Sequence, residues 1–155
     1  MSAQVDCIRM KGFIEAELRN GFTGEVIRRE RHNVIVTAGR RWVLQQICSS
    51  IMQTGESVSH LAVGTGTVAP ATSDEALGSE TLRKAIGTFT TTNITSNPPS
   101  WLAAVSFATN EANTTLSEVG LFNSSANGTM LGRATFTTLN KSTSNTLAIS
   151  YTISG

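Results

Sequence analysis

The stretch Thr146-Leu-Ala-Ile-Ser-Tyr-Thr-Ile153 alternates large apolar side chains with small or polar ones. Its large side chains, from Leu147 to Ile153, therefore fall on one face of an extended chain, and the Ala, Ser and Thr residues fall on the other. Period-two alternation is typical of a strand that buries one face. The stretch predicts a β-strand whose apolar face the rest of the chain must cover.

Two runs upstream have the same character. Residues 116–122 and 129–139 predict strands, and the Asn127-Gly128 pair between them suits the positive backbone angles of a tight reversal. The Ser-, Thr- and Asn-rich residues 140–145 predict a hairpin loop before the last strand. Together the three runs predict a β-meander in which each strand pairs with the next.

The beginning of the chain predicts a long hairpin. Residues 5–18 alternate apolar with mostly charged side chains, and residues 20–24, Asn-Gly-Phe-Thr-Gly, have the chemistry of a turn. Residues 25–36 then predict a returning second strand.

An amphipathic helix is predicted over about residues 38–52, where the period changes from two to nearly four. Thr37 is placed to cap its first turn, and Gly55 lies just beyond its end. The helix is expected to pack across the sheet and close one end of the core. Its apolar face is predicted to comprise Val43, Leu44, Ile47, Cys48 and Ile51.

The middle of the chain predicts short elements between loops. Residues 59–63 predict a strand, residues 64–74 a long exposed loop and residues 75–82 a helical turn. Residues 83–94 and 101–109 predict two more strands, separated by a break at residues 97–100.

The fold class is therefore mainly β. Seven or eight short strands and one helix predict an antiparallel β-sandwich or a jelly-roll-like barrel. A length of 155 residues suits one domain, so residues 1–155 are predicted to form a single β-rich unit.

Composition narrows the classes of function. Only 15% of residues are charged and the net charge is +1, so no global field draws the chain to nucleic acid or to an anionic membrane. No apolar run approaches the roughly 20 residues of a membrane span, and the N-terminus lacks the features of a signal peptide. Cys7 and Cys48 are predicted to be buried free thiols rather than a disulfide.

A search for catalytic or cofactor-binding patterns is negative. Gly64-Thr-Gly66 matches neither phosphate-binding fingerprint and predicts a flexible turn. His32 and His60 have no metal-ligand spacing around them, and Glu15 and Glu17 are most simply solvated acids. We therefore expect no enzymatic activity and no cofactor.

A basic group stands out against this background: Arg28, Arg29, Arg31, Arg40 and Arg41. These side chains are candidates to grip an acidic patch on a neighbouring subunit, or phosphate. The alternative is a solvated strand face whose arginines pair with Glu25 and Glu30. Nucleic acid is disfavoured as a partner because no aromatic residues interleave with the arginines.

Three stretches resemble a known class of protein. They are His32-Asn-Val-Ile-Val-Thr-Ala-Gly-Arg40, the run from Leu61 to Pro70 leading into Ala76-Leu-Gly78, and Leu116-Ser-Glu-Val-Gly-Leu-Phe122 with the sequel Gly128-Thr-Met-Leu-Gly-Arg-Ala-Thr-Phe136. In this order they are similar to small virion structural proteins of tailed bacteriophages. The resemblance implies a subunit without catalytic residues that is made in the bacterial cytoplasm and resides in the virion.

Within that class, the chain length suits a capsid decoration or cement protein. The resemblance implies a dimer or trimer that binds the major capsid protein in many copies, where repetition multiplies weak contacts. A short tail-fibre, collar or baseplate subunit, bound to tail or baseplate proteins, is the competing hypothesis.

The candidate contacts comprise the arginine group, the long loop through Thr65, Val68 and Pro70, and the break through Pro98 and Pro99. For each of these residues, plain solvated surface is the alternative. A different class of function remains open, namely a carbohydrate-binding module with Trp101 or Trp42 as a stacking platform. Core packing is the favoured interpretation of both tryptophans.

Overall fold

The computed structural model describes residues 9–48, 57–93 and 99–155. Within these ranges the chain forms one helix, α1 (Thr37–Cys48), and a series of strands numbered in chain order. The strands are β1 (Lys11–Asn20), β2 (Val26–His32), β3 (Val34–Ile35), β4 (His60–Gly64), β5 (Glu80–Ala85), β6 (Thr88–Asn93), β7 (Ser100–Phe107), β8 (Thr115–Phe122), β9 (Met130–Asn140) and β10 (Asn145–Ser154).

These strands form two five-stranded sheets. The first has the order β2-β1-β10-β7-β6 and the second the order β3-β9-β8-β4-β5. The strand pairings in both sheets are antiparallel. The prediction of a mainly β, antiparallel sandwich with one helix is confirmed.

The predicted C-terminal meander is wrong in its last step. β8 pairs with β9 as expected, and the reversal between them has Asn127 at φ 53° and Gly128 at φ 75°, as the sequence predicts. β10, however, crosses to the first sheet and lies between β1 and β7. Pairing with β1 along the whole strand holds β10 there and turns Leu147 and Tyr151 into the space between the sheets.

The N-terminal hairpin is confirmed, with two changes in its bounds. β1 begins at Lys11, and residues 5–8 of the predicted strand lie outside the described residues. The predicted second strand, residues 25–36, is divided at Asn33, because Val34 and Ile35 join the second sheet beside β9.

The helix is confirmed over Thr37–Cys48, whereas residues 49–52 of the prediction lie outside the described residues. The carbonyl of Val36 accepts the first helical bond from Arg40 N–H at 3.0 Å, so Val36, not Thr37, holds the cap position. The predicted apolar face is also wrong in part. Trp42 is buried and Val43 half-buried, while Leu44 is 52% exposed.

Two predictions for the middle of the chain are wrong. Residues 80–82, the end of the predicted helical turn over residues 75–82, belong to strand β5, because the backbone there pairs with β4. The predicted single strand over residues 83–94 is two strands in different sheets, β5 beside β4 and β6 beside β7. The predicted strands over residues 59–63 and 101–109 are confirmed as β4 and β7.

The central strands of the second sheet are buried on both faces. The main core lies between the sheets and includes Val63, Leu121 and Leu131 of the second sheet. The adjacent residues Ala62, Phe122 and Met130 belong to a second cluster on the opposite face, because side chains alternate along a strand. This second cluster is completed by Leu77, from the loop between β4 and β5, and by Val36 at the start of α1.

Candidate subunit-contact surface

The β4–β5 loop, residues 65–79, is fastened to the second sheet by one carboxylate. Glu118 of β8 has 0% exposure and lies under the loop. Its Oε1 accepts N–H bonds from Gly66 at 2.8 Å and Ser79 at 2.7 Å, and its Oε2 accepts one from Gly78 at 2.9 Å. A single side chain therefore holds both ends of the loop together.

Arg133 of β9, with 3% exposure, fastens the middle of the same loop. Its Nε donates to Glu118 Oε2 at 2.9 Å, and its terminal nitrogens reach Asp74 Oδ2 at 2.8 Å and the Val68 carbonyl at 3.1 Å. Asp74 also accepts the Ala71 N–H at 2.9 Å. Charge-assisted bonds of this kind are about twice as strong as neutral ones, so the loop is held in one conformation.

The pKa values of these groups reflect the network. Burial is the largest influence on the Glu118 carboxyl and acts to raise its pKa, but the N–H groups of the loop and the Arg133 guanidinium outweigh it, so the pKa lies below its usual range. Burial likewise acts to raise the pKa of Asp74, and the Ala71 N–H together with Arg133 lowers it overall. Burial acts to lower the pKa of Arg133, but its two carboxylates raise it above the ordinary value.

Glycine makes this approach possible. A Cβ at Gly66 would lie 2.4 Å from Glu118 Oε1, and one at Gly64 would lie 2.3 Å from the Ser79 carbonyl oxygen. Side chains at these positions would displace the loop from the carboxylate. The Gly64-Thr-Gly66 segment, predicted to be a flexible turn, is thus part of a cradle for an internal anion.

The fastened loop displays an apolar side chain. Val68 is 74% exposed, and Thr67 and Ala69 beside it are exposed as well. The other two predicted contacts in the loop are half-buried, and the Thr65 N–H is bonded to the Ser79 carbonyl at 2.9 Å. Of Thr65, Val68 and Pro70, Val68 is therefore the residue best placed to meet a partner.

The structure divides the predicted arginine group into three parts. Arg28 stands on the outer face of the first sheet, where its guanidinium lies 2.8 Å from Glu17 and 3.8 Å from Glu15. The alternative prediction, pairing with Glu25 and Glu30 on its own strand, is thus wrong for Arg28. Its hydrogen bond lowers the pKa of Glu17, but Arg28 is exposed and Glu17 only half-buried, so the pair adds little to stability.

The other four arginines lie in two places, one pair at the edge of the first sheet and one pair on α1. Arg29 and Arg31 lie at the edge of the first sheet next to β9, and Arg29 Nε donates to the Thr137 carbonyl at 3.1 Å. Arg40 and Arg41 line an open depression of about 470 Å³ at the start of α1, with Thr37, Leu44 and Gln45. Within the described ranges, no carboxylate lies within 4.0 Å of any of these four guanidinium groups.

Sequence reasoning missed a second displayed apolar side chain, Phe22, which is 87% exposed at the tip of the β1–β2 hairpin. Asn20 Oδ1 accepts the N–H groups of Phe22 and Thr23 at 2.9 and 3.0 Å, and Gly21 N–H is bonded to the Ser144 carbonyl at 2.9 Å. The turn is therefore ordered around an exposed ring. An aromatic residue between two turn glycines is the sequence signal that would have revealed it.

The predicted proline contacts and the two tryptophans proposed as stacking platforms differ in their exposure. Pro99 is exposed and its carbonyl accepts the Gly155 N–H at 3.3 Å, whereas Pro98 lies outside the described residues. Trp42 is buried, with 8% exposure, and so offers no stacking face. Trp101 is half-buried, with its ring centroid 6.0 Å from that of the exposed Phe89.

His32 and His60, which have no metal-ligand spacing in the sequence, contact a ring and a hydroxyl group of neighbouring residues. His60 Nδ1 lies 2.8 Å from the Ser59 hydroxyl, and the His32 ring packs edge-on against Phe13. In the part of the chain that the structure describes, no three His, Cys, Asp or Glu side chains are grouped as metal ligands. Cys7 and the side chain of Cys48 lie outside the described atoms, so the thiol prediction stays a prediction.

Comparison with known proteins gives no match, whether to a protein-family model, a curated protein or a solved structure. Among the described residues, no helix has the length and apolar character to cross a membrane.

Proposed function

We propose that the chain is a non-enzymatic virion structural protein of a tailed bacteriophage. Within that class we propose a capsid decoration protein, which binds the major capsid shell in many copies and stabilises it. The proposal combines the resemblance of three sequence stretches with the way the sandwich displays its loops.

The observation that carries the proposal is the fastened β4–β5 loop. Glu118 and Arg133 bind it at both ends and in the middle, and Val68 projects from it into solvent. A loop that is already ordered loses little conformational entropy when it binds. A rigid loop with an apolar tip is what a subunit needs to make the same contact at every copy of its partner.

Phe22 adds a second displayed contact on a separate turn. Its ring is exposed, while hydrogen bonds to Asn20 fix the backbone that carries it. Aromatic side chains, Phe included, are enriched at the buried centres of protein–protein interfaces. Two small rigid contacts per subunit suit assembly through repetition, in which weak contacts add up to strong attachment.

The buried charges support a structural rather than a catalytic role. Glu118 and Arg133 bind each other and the loop, and Lys141 Nζ donates to the carbonyls of Ala108 and Asn145 and to Asn113 Oδ1. Catalytic acids and bases need reactants within hydrogen-bond reach. These groups are instead occupied by the protein's own backbone and side chains.

Counting copies in the virion tests the proposal. Virions of the phage that encodes the chain would be purified and dissociated, and the chain quantified against the major capsid protein by mass spectrometry with isotope-labelled standards. Decoration predicts a copy number comparable to that of the major capsid protein. A few copies per particle would assign the chain to the tail or baseplate instead, and absence from the particle would reject the proposed function.

A further inference from the structure

A groove of about 340 Å³ lies where the arginine edge of the first sheet meets the β4–β5 loop. It brings together two residues from separate predicted contact segments, Arg31 and Thr67, although they are distant in sequence. The groove is lined by Arg31, Thr67, Ser117, Thr135, Phe136, Thr137 and Thr138.

A β-bulge shapes the groove. Leu116 pairs with Leu139 and Glu118 pairs with Thr135, so β8 supplies only Ser117 where β9 supplies residues 136–138. Extra residues of this kind bend a strand and redirect its side chains, and they are over-represented next to functional sites. Here the extra residues belong to the lining of the groove.

The lining is polar, with one charge. Arg31 is exposed, and within the described residues its guanidinium makes one hydrogen bond, from a terminal nitrogen to the Glu30 carbonyl at 3.1 Å. Thr67, Thr137 and Thr138 are exposed and add hydroxyl groups that can donate. Ser117 is different, because its hydroxyl already donates to the Gly66 carbonyl at 3.0 Å.

We propose that this groove binds an aspartate or glutamate side chain of a neighbouring protein subunit. A guanidinium with open donors binds a carboxylate through two parallel N–H···O bonds, and threonine hydroxyls can complete the set. The proposal rests on the proposed function, since it names the chemistry of the partner that a virion subunit would meet.

A carboxylate fits better than the alternatives. Arg29, the nearest other cation on the strand, already donates to the Thr137 carbonyl and to the Arg28 carbonyl, so one guanidinium is available rather than a cluster. Phe136, the aromatic residue of the lining, is buried and offers no face for a nucleic-acid base to stack on.

The test is a titration of the isotope-labelled full chain followed by amide NMR shifts. The probe is a peptide of alternating Thr and Glu, and the matched control peptide has Gln in place of Glu. We expect the amide resonances of Thr67, Thr137 and Thr138 to move with the Glu peptide and to stay in place with the Gln peptide. Arg31→Ala should weaken binding about tenfold or more, whereas Arg41→Ala, with the same change in charge, should leave it unchanged.

Several results would overturn the proposal. These are no movement of the three resonances, equal movement with the Gln peptide, or equal losses in the two arginine variants. Inorganic phosphate moving the same resonances as strongly as the peptide would make the groove a general anion site and also reject it. The copy count of the virion is independent of the titration, so failure of the groove and failure of the proposed function can be told apart.

Discussion

Arg133 and Glu118 form a buried ion pair in which Nε and a terminal nitrogen of the guanidinium lie 2.9 and 2.8 Å from the same oxygen, Oε2. Removing two charges from water costs on the order of several kcal/mol per ion. This cost is offset only when further hydrogen bonds satisfy both charged groups. Here those further bonds come from the β4–β5 loop. The pair therefore connects the stability of the sheet to the position of the loop.

Replacing Glu118 by Gln should destabilise the fold strongly. The substitution removes the charge that Arg133 and the N–H groups of Gly66, Gly78 and Ser79 share, and it leaves a buried cation only partly compensated. We expect a loss of about 2–4 kcal/mol in the free energy of unfolding, measured by urea denaturation.

Glu75→Gln is the matched control, because Glu75 lies in the same loop and is exposed. Its free energy of unfolding should change by less than about 0.5 kcal/mol. Equal stability of the Glu118→Gln variant and the wild-type chain would show that the carboxylate does not hold the loop.

Stability should also decline in acid because of this site. The pKa values of Glu118 and Asp74 are lower in the folded protein than in the unfolded chain, so the unfolded chain binds more protons between the two values. Their contribution is therefore complete above about pH 5 and is lost as pH falls through the folded pKa values.

The stability difference between wild type and Glu118→Gln measures the part of this loss that belongs to Glu118. We expect the difference to be constant above about pH 5 and to shrink as the pH falls from about 5 to about 3, because a protonated Glu118 resembles Gln. A difference that stays constant over this range would contradict the assignment.

Gly39→Ala should destabilise the protein, although the helix propensity of alanine is better than that of glycine by about 1 kcal/mol. A Cβ at Gly39 would lie 2.3 Å from the Leu131 carbonyl oxygen, so α1 would have to move away from β9. We expect a net loss of about 1–3 kcal/mol by thermal or urea denaturation. Gln45→Ala, at an exposed position of the same helix, is the control, and a neutral or stabilising Gly39→Ala would argue against this close docking.

Phe22→Ala should leave stability within about 0.5 kcal/mol of the wild type, because the ring is exposed and the turn is held by Asn20. If the ring contacts the partner, the Phe22→Ala variant should bind about tenfold or more weakly to virions that lack their own copies of the chain. The bound fraction is measured by pelleting the virions with the added variant. Leu44→Ala, another exposed apolar residue, serves as the control. Undiminished retention of Phe22→Ala would remove this contact from the account.

The sequence is informative where a pattern is local. Alternation along residues 146–153 predicts a strand with one buried face, but it does not say which strands lie beside it, since that depends on pairing with β1 across the chain. The end of the predicted helical turn, residues 80–82, is a strand for the same reason, because these residues pair with β4.

The candidate site was only partly predictable. The long loop could be predicted from its Gly, Pro and Ser content, yet nothing local showed that Glu118, a single acid in an apolar run, would reach three of its N–H groups. Phe22 falls in a predicted turn, and turn chemistry alone does not reveal an exposed ring. The five arginines stand out in the sequence, but their division among three surfaces follows from the alternation of side chains along β2 and from the path of β3 into the second sheet.

Photo-crosslinking inside the assembled virion tests the central claim most directly. A photoreactive phenylalanine analogue would replace Val68 at the tip of the β4–β5 loop, with replacement of the exposed Ala148 on β10 as the control. The account predicts that position 68 crosslinks to another virion subunit in intact particles, at a yield well above that from position 148. Incorporation of the chain into particles without any crosslink from position 68 would contradict it.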